Sequence, residues 1–149
     1  MAKIRVTKEF KFEAAHALLG YDGLCKNIHG HSYKLFVTVI GEPITDINNP
    51  KFGMVFDFGD LKTIVNNQIV KQFDHSIILN KNTETSSFET LSELFRRKHY
   101  TNYQPTCENM LLDFVERIKK NLPDYIDLVS VKLYETANSY AEWVASDNE

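Results

Sequence analysis

Two runs of strict alternation constrain this chain more than any other feature. In residues 4–16, Ile4, Val6, Phe10, Phe12, Ala14 and His16 fall on one parity, and Arg5, Thr7, Glu9, Lys11 and Glu13 fall on the other, with Lys8 the exception. In the second run His29, His31, Tyr33, Leu35, Val37 and Val39 share a face, until Gly41-Glu42-Pro43 ends it. A period of two belongs to a strand with one face on a core. The Gly20-Tyr21-Asp22-Gly23 loop between the runs allows them to pair as a hairpin. Tyr33, Phe36 and Ile40 put apolar surface on both parities of the second strand, so burial on both sides, and hence self-association, is expected.

The rest of the chain supplies helices. Residues 43–51 read as a turn-rich excursion, followed by Gly53-Met54-Val55-Phe56 as a short apolar strand. Asp57 caps a helix in which Leu61, Ile64, Val65, Ile69 and Phe73 recur at helical spacing to about Gln72. Residues 74–80 are too short for another helix and cross back as loop and extended chain. Ser86 and Glu89 make a capping-box pattern, and Phe88, Leu91, Leu94 and Phe95 predict a small helix over 88–100 with His99 in its exposed tail. Pro105-Thr106 opens a second long amphipathic helix through Leu111, Phe114, Val115, Ile118 and Leu122, closed by Pro123. Val129, Val131, Leu133 and Glu135 then share one parity of a third long strand, and a short segment at 140–144 ends the fold. Strand pairs enclosing helices argue an α+β fold, an antiparallel sheet covered on one face.

Size and charge narrow the function classes. A chain of 149 residues, 43% hydrophobic and 25% charged, reads as a single domain over 1–149 that can bury a core without disulfide staples. Two cysteines and an N-terminus without an apolar run (MAKIRVTKEF) predict a reduced, cytoplasmic protein. No stretch approaches the ~20 apolar residues of a membrane span, and a net charge of -3 offers no basic field for nucleic acid.

The histidines carry the chemistry. His29 and His31, two apart on a strand, point to one face with Cα atoms roughly 6.6–7 Å apart, a gap two imidazoles can close onto one ion. His16 ends the neighbouring strand on the core-facing parity, so a hairpin would bring all three rings to one end of the sheet. Three neutral imidazoles leave a Zn²⁺ ion its full charge and an open position, the catalytic pattern; each ring alone reads equally as a satisfied core or loop histidine. Cys25, four residues before His29 in a polar loop, has three readings. It is a base or nucleophile, since a cation beside a thiol favours the thiolate, or a fourth metal ligand, or an inert thiol. Asp74-His75 is either a solvated helix end or a functional pair whose partners come from elsewhere. Glu135 continues an apolar parity, and a partly buried carboxylate there needs donors, such as the paired N–H groups of a guanidine-like ring edge, or else swings into water. Cys107, in the first turn of a helix, reads as inert.

Taken together, Phe12-Glu13-Ala14-Ala15-His16, Cys25-Lys26-Asn27-Ile28-His29-Gly30-His31, Gly53-Met54-Val55-Phe56-Asp57-Phe58 with Leu61-Lys62, Asp74-His75, Pro105-Thr106-Cys107-Glu108-Asn109 and Tyr134-Glu135-Thr136 resemble the 6-pyruvoyl-tetrahydropterin synthase and 6-carboxy-tetrahydropterin synthase family, in family order from residue 12 to 136. The resemblance implies the tunnelling fold (T-fold): a four-stranded antiparallel sheet and two main helices per subunit, the sheets joined into an oligomeric β-barrel. It implies a homohexamer built as a dimer of trimers, with inter-subunit active sites. It also implies Zn²⁺ on His16, His29 and His31, Cys25 as general base, Asp74 and His75 as its relay partners across an interface, and Glu135 as the anchor of the pterin ring. Thr106 and Glu108 would line the pterin pocket. The implied substrate is 7,8-dihydroneopterin triphosphate, a polyanion that requires local cations, with Lys26 and Lys34 as candidates.

Three residues between Cys25 and His29 match the bacterial 6-carboxy-tetrahydropterin synthases of queuosine biosynthesis, which also release acetaldehyde and triphosphate. Ile28 stands where a folate-pathway variant carries Glu. The alternatives are a 6-pyruvoyl-tetrahydropterin synthase and a catalytically silent pterin- or metal-binding protein of the same fold. Two departures stand out: Cys107, where the family favours small residues, and a longer connection over 81–104 of unknown role.

Overall fold

The computed structural model describes residues 2–84 and 93–149. Strand β1 (Ile4–Ala17) and strand β2 (His29–Gly41) pair antiparallel without interruption from Ile4↔Gly41 to His16↔His29. Strand β5 (Asp127–Thr136) lies on the other side of β2, and β6 (Ser139–Val144) completes an antiparallel hairpin with it. Between these come β3 (Ser76–Asn80), parallel to β1, and β4 (Lys98–Thr101), parallel to β3.

The sheet is therefore six-stranded and mixed, in the order β4-β3-β1-β2-β5-β6, where four antiparallel strands were expected. The additions are the two parallel strands, β3 and β4. Ser76, Ile77, Ile78 and Leu79 are all buried, so they show the continuous burial of a parallel strand covered on both faces rather than an alternation.

Helix α1 starts at Phe58–Val65, widens into a π-helical turn at Asn66–Val70 and closes at Lys71–Phe73. Asp57 caps it, accepting the Gly59 N–H at 2.6 Å and pairing with Lys51. Helix α2 (Cys107–Lys119) is capped by Thr106, whose hydroxyl accepts the Asn109 N–H at 3.1 Å. Phe12, Tyr33 and Leu35 of the sheet share one hydrophobic cluster with Leu61 and Phe73 of α1 and Phe114 of α2, so both helices cover the same face. None of the helices among the described residues is long and apolar enough to cross a membrane.

Several local expectations change. Residues 53–56 are not a strand; Val55 and Phe56 are buried from a turn tied down by Ile44 N–H to Met54 O and Gly53 N–H to Ile44 O, both 2.9 Å. The expected helix over 88–100 falls partly on 85–92, outside the described residues, and its far end is strand β4. His99 is accordingly no exposed tail: its ring stacks on Phe73 with centroids 4.5 Å apart. In β5, Ser130 pairs with Thr38 and Leu128 with Val39, so Val129 is the extra residue of a bulge and Leu128 takes the buried side.

The π-helical turn has an identifiable partner. Arg117 of α2 donates to Gln68 O at 3.0 Å and to Gln72 Oε1 at 2.9 Å, pairs with Asp113 at 2.8 Å, and lies 5.0 Å from the Phe73 ring. A widened turn frees backbone carbonyls from helical bonding, and the guanidinium satisfies one of them while pinning the two helices together. Arg117→Ala is expected to lower unfolding stability by about 1.5–3 kcal/mol, the range for lost hydrogen bonds to a charged group, measured by denaturant titration; Arg117→Lys should recover only part, because an ammonium cannot span all these partners.

Candidate functional site

The β1/β2 register sets the site. His16 lies directly opposite His29, and Ala14 opposite His31, so the three imidazoles share a face at one end of the sheet. One nitrogen from each falls within 4.8 Å of the others. His16 is fully buried and the other two are half-buried.

The tautomers follow from the backbone. Nδ1 of His16 lies 2.7 Å from Pro105 O, and Nδ1 of His29 lies 2.7 Å from Asn27 O. A carbonyl oxygen only accepts, so each Nδ1 must donate, and in the neutral rings both Nε2 atoms are left as lone pairs. These two lone pairs face each other at 3.0 Å. Nε2 of His31 is buried without a hydrogen-bond partner among the described residues. The Glu135 carboxylate adds a further acceptor, with Oε1 3.4 Å from His16 Nε2 and 3.7 Å from His31 Nε2. Two imidazole lone pairs and a carboxylate oxygen converging in this way call for a cation or a proton between them, and a carbonyl behind Nδ1 is the kind of outer partner that orients a metal-bound imidazole. The residues present fit a metal ion.

Electrostatics favour the unprotonated rings. Burial, against the raising effect of Pro105 O and with help from the neighbouring imidazoles, lowers the His16 pKa to about 4. Burial also lowers that of His31, opposed by Glu135. In the unfolded chain His16 titrates near 6.5, so above that pH the ring is neutral in both states and makes no difference. Between pH 6.5 and about 4 the unfolded chain takes up the proton first. The metal-free protein is therefore expected to lose about 3 kcal/mol across that window from this ring, read as the pH dependence of its denaturation midpoint after chelation.

Glu135 reaches the cluster from a second bulge. Tyr134 pairs with Tyr140 and Thr136 with Ser139, which leaves Glu135 as the extra residue of the β5–β6 hairpin and directs its side chain. Cys25 sits exposed on a 3-10 turn (Leu24–Lys26) whose loop is fixed by Leu18 N–H to Cys25 O at 3.0 Å. Cys25, Thr106, Glu108 and Glu135 line one cleft of about 430 Å³. Cys107 also borders it, but is buried, donates to Leu133 O at 3.3 Å, and has its pKa pushed up to about 11, chiefly by burial.

Asp74 and His75 do not line that cleft. They sit beyond the other flank of β1, where Asp74 Oδ2 lies 3.0 Å from His75 Nδ1 and Asp74 Oδ1 accepts the Glu13 N–H at 2.8 Å. Adjacent residues face each other here because His75 has a left-handed backbone, φ 59°. Lys26 and Lys34 are exposed.

Sequence reasoning missed the residues behind the site. Gln104 clamps the Cys25 loop, donating to Leu19 O at 2.7 Å and accepting its N–H at 3.1 Å, while its own carbonyl accepts from Asn109 Nδ2 at 3.0 Å. Tyr33, buried beneath His16, brings its hydroxyl to 3.4 Å from Nδ1. Its parity with His29 and His31 was the available signal; Gln104 offered none.

Comparisons with known proteins agree on one family. The family profile described as 6-pyruvoyl tetrahydropterin synthase matches residues 5–145. The 6-carboxy-5,6,7,8-tetrahydropterin synthase of Haemophilus influenzae is 35% identical over 141 residues, 93% of this chain and 97% of that protein. The Rickettsia typhi protein of the same name is 32% identical over 143 residues, 93% of this chain and 99% of its own. Among solved structures, an uncharacterized protein of Wolinella succinogenes superposes with a TM-score of 0.79 at 20% identity, covering 97% of this chain and 99% of that one. The Caenorhabditis elegans 6-pyruvoyl tetrahydropterin synthase superposes with a TM-score of 0.68 at 24% identity, covering 97% of each chain.

Proposed function

Because the chain belongs to the 6-pyruvoyl tetrahydropterin synthase family, we propose that it converts 7,8-dihydroneopterin triphosphate and one water to 6-carboxy-5,6,7,8-tetrahydropterin, with release of acetaldehyde and triphosphate, in queuosine biosynthesis. The observation that carries this reading is the pair of Nε2 lone pairs held 3.0 Å apart by backbone carbonyls, beside a cleft that contains Cys25 and Glu135. His16, His29 and His31 would hold zinc. When bound, it supplies Lewis-acid stabilisation of the side-chain oxygen that gains charge as a neighbouring C–H proton leaves.

The chain's own groups do the rest. Cys25, exposed at the cleft, takes that proton as its thiolate. Glu135 accepts the paired N–H groups of the pterin ring, and Thr106 and Glu108 border the ring's pocket. Asp74 and His75 relay the proton on a neighbouring subunit's Cys25, which accounts for their distance from the cleft within one chain and calls for an oligomer, a hexamer by family resemblance. The single domain over 1–149 is the repeating unit of that assembly.

The competing reaction eliminates triphosphate alone and leaves a pyruvoyl side chain. Coupled detection of both leaving groups separates them: the proposed reaction releases acetaldehyde and triphosphate in equal amounts, and triphosphate without acetaldehyde would mark the pyruvoyl product.

A further inference from the structure

The connection over 81–104, longer than the family resemblance leads one to expect, places a guanidinium against the Asp74-His75 turn. Arg97 donates from Nη2 to Lys71 O at 2.5 Å and to Gln72 O at 3.4 Å, and from Nε to Asp74 O at 2.9 Å. These are carbonyls of the last turn of α1 and the residue after it, which have no later helical N–H to pair with. His99 Nε2 donates to Gln72 O as well. Arg97 is itself anchored, its carbonyl accepting the Ile77 N–H at 2.8 Å where β4 joins β3.

From the other side β1 grips the same turn. Glu13 N–H donates to Asp74 Oδ1 at 2.8 Å, and His75 N–H donates to Glu13 O at 2.6 Å. The turn between these two holds contains His75 at φ 59°, a conformation that L residues keep only where the surroundings over-determine it. We infer that Arg97 is a positioning residue: with β1 it clamps the Asp74-His75 turn so that the imidazole is presented in one orientation. This rests on the proposed catalytic role of that pair.

The chemistry of the contact supports this over an anion-binding role. The guanidinium is committed to three carbonyls at a helix C-terminus, the negative end of the helix dipole, and lies close to a carboxylate. Asp74 is held below the usual carboxylate range: burial raises it, but the Glu13 N–H, His75 and the charge of Arg97 outweigh that. Arg97 is exposed, so its removal opens no hole in the core.

The test uses the full chain loaded with zinc. In Arg97→Ala, amide hydrogen exchange at Glu13 and His75 should speed up by about tenfold or more. kcat should fall by about tenfold or more while KM stays within about twofold, since the lost feature is orientation and not substrate binding. Zinc content should hold, the melting temperature should fall modestly because the lost bonds are at the surface, and Arg97→Lys or added guanidinium should restore part of kcat, which a merely structural defect would not permit. Unchanged exchange and unchanged kcat in Arg97→Ala would overturn the inference. Should the alanine variant fail to fold, Arg97→Gln, which also removes the charge and the fork of donors, decides by the same exchange and kcat criteria. If the wild-type chain turns over no pterin triphosphate, the catalytic reading falls, and the exchange rates still decide whether Arg97 clamps the turn.

Discussion

His31→Ala is expected to strip the protein of its metal and its turnover together. Nε2 of His31 is buried with no hydrogen-bond partner among the described residues, so the ring satisfies no other part of them through that atom. Removing a ligand costs more than removing an outer-shell partner, itself worth about 10–100-fold in affinity, so zinc affinity should fall by more than ~100-fold. The fold should survive, because His31 is near the end of β2, outside the stretch that β5 pairs, and lies outside the main hydrophobic cluster. Competition with a chelator of known affinity measures the loss. Retention of tight zinc by the variant would contradict the three-histidine site. Asn27 O and Pro105 O predict a further asymmetry: displacing either carbonyl should weaken zinc less than losing a ring.

Cys25→Ala should separate chemistry from metal binding. Turnover is expected to fall by about 10²–10⁴-fold, the usual contribution of a positioned base, while zinc content stays at the wild-type level. The cysteine is exposed on its turn and Cys107 is buried with its pKa raised to about 11, so a small alkylating reagent should modify Cys25 in the native protein and leave Cys107 until unfolding. Inactivation should track that single modification, as read by intact mass and residual rate. Equal activity in Cys25→Ala would remove the base assignment while leaving the metal site standing. Loss of zinc along with activity would instead make Cys25 a ligand, the alternative open from its spacing to His29.

What the sequence disclosed depended on periodicity. The β1/β2 hairpin and its three histidines were legible because a buried face imposes a period of two, and a shift by one residue would have turned His16 away from His29. The two helices were legible from caps and spacing, down to Asp57 and Thr106. Strand β3 was legible only as extended chain, since a short parallel strand buried on both faces carries no alternation, and β4, in which only Thr101 is buried, carries no pattern either. Val129 shows the limit of parity itself: a bulge moved Leu128 into the core without leaving a mark in the residue pattern. The Asp74-His75 contact depends on one positive φ, and the Arg97 clamp on a contact between residues more than twenty apart. Neither is a local property, and only the folded chain brings them together.

A cleft beside the three histidines that makes a carboxylated pterin through a held metal must lose that product when the metal is removed. The most direct measurement is the mass of the pterin formed when the zinc-loaded protein is incubated with 7,8-dihydroneopterin triphosphate, beside a chelated control. The expected outcome is 6-carboxy-5,6,7,8-tetrahydropterin from the loaded protein and none from the control. A 6-pyruvoyl product, or the same product at the same rate without metal, would contradict it.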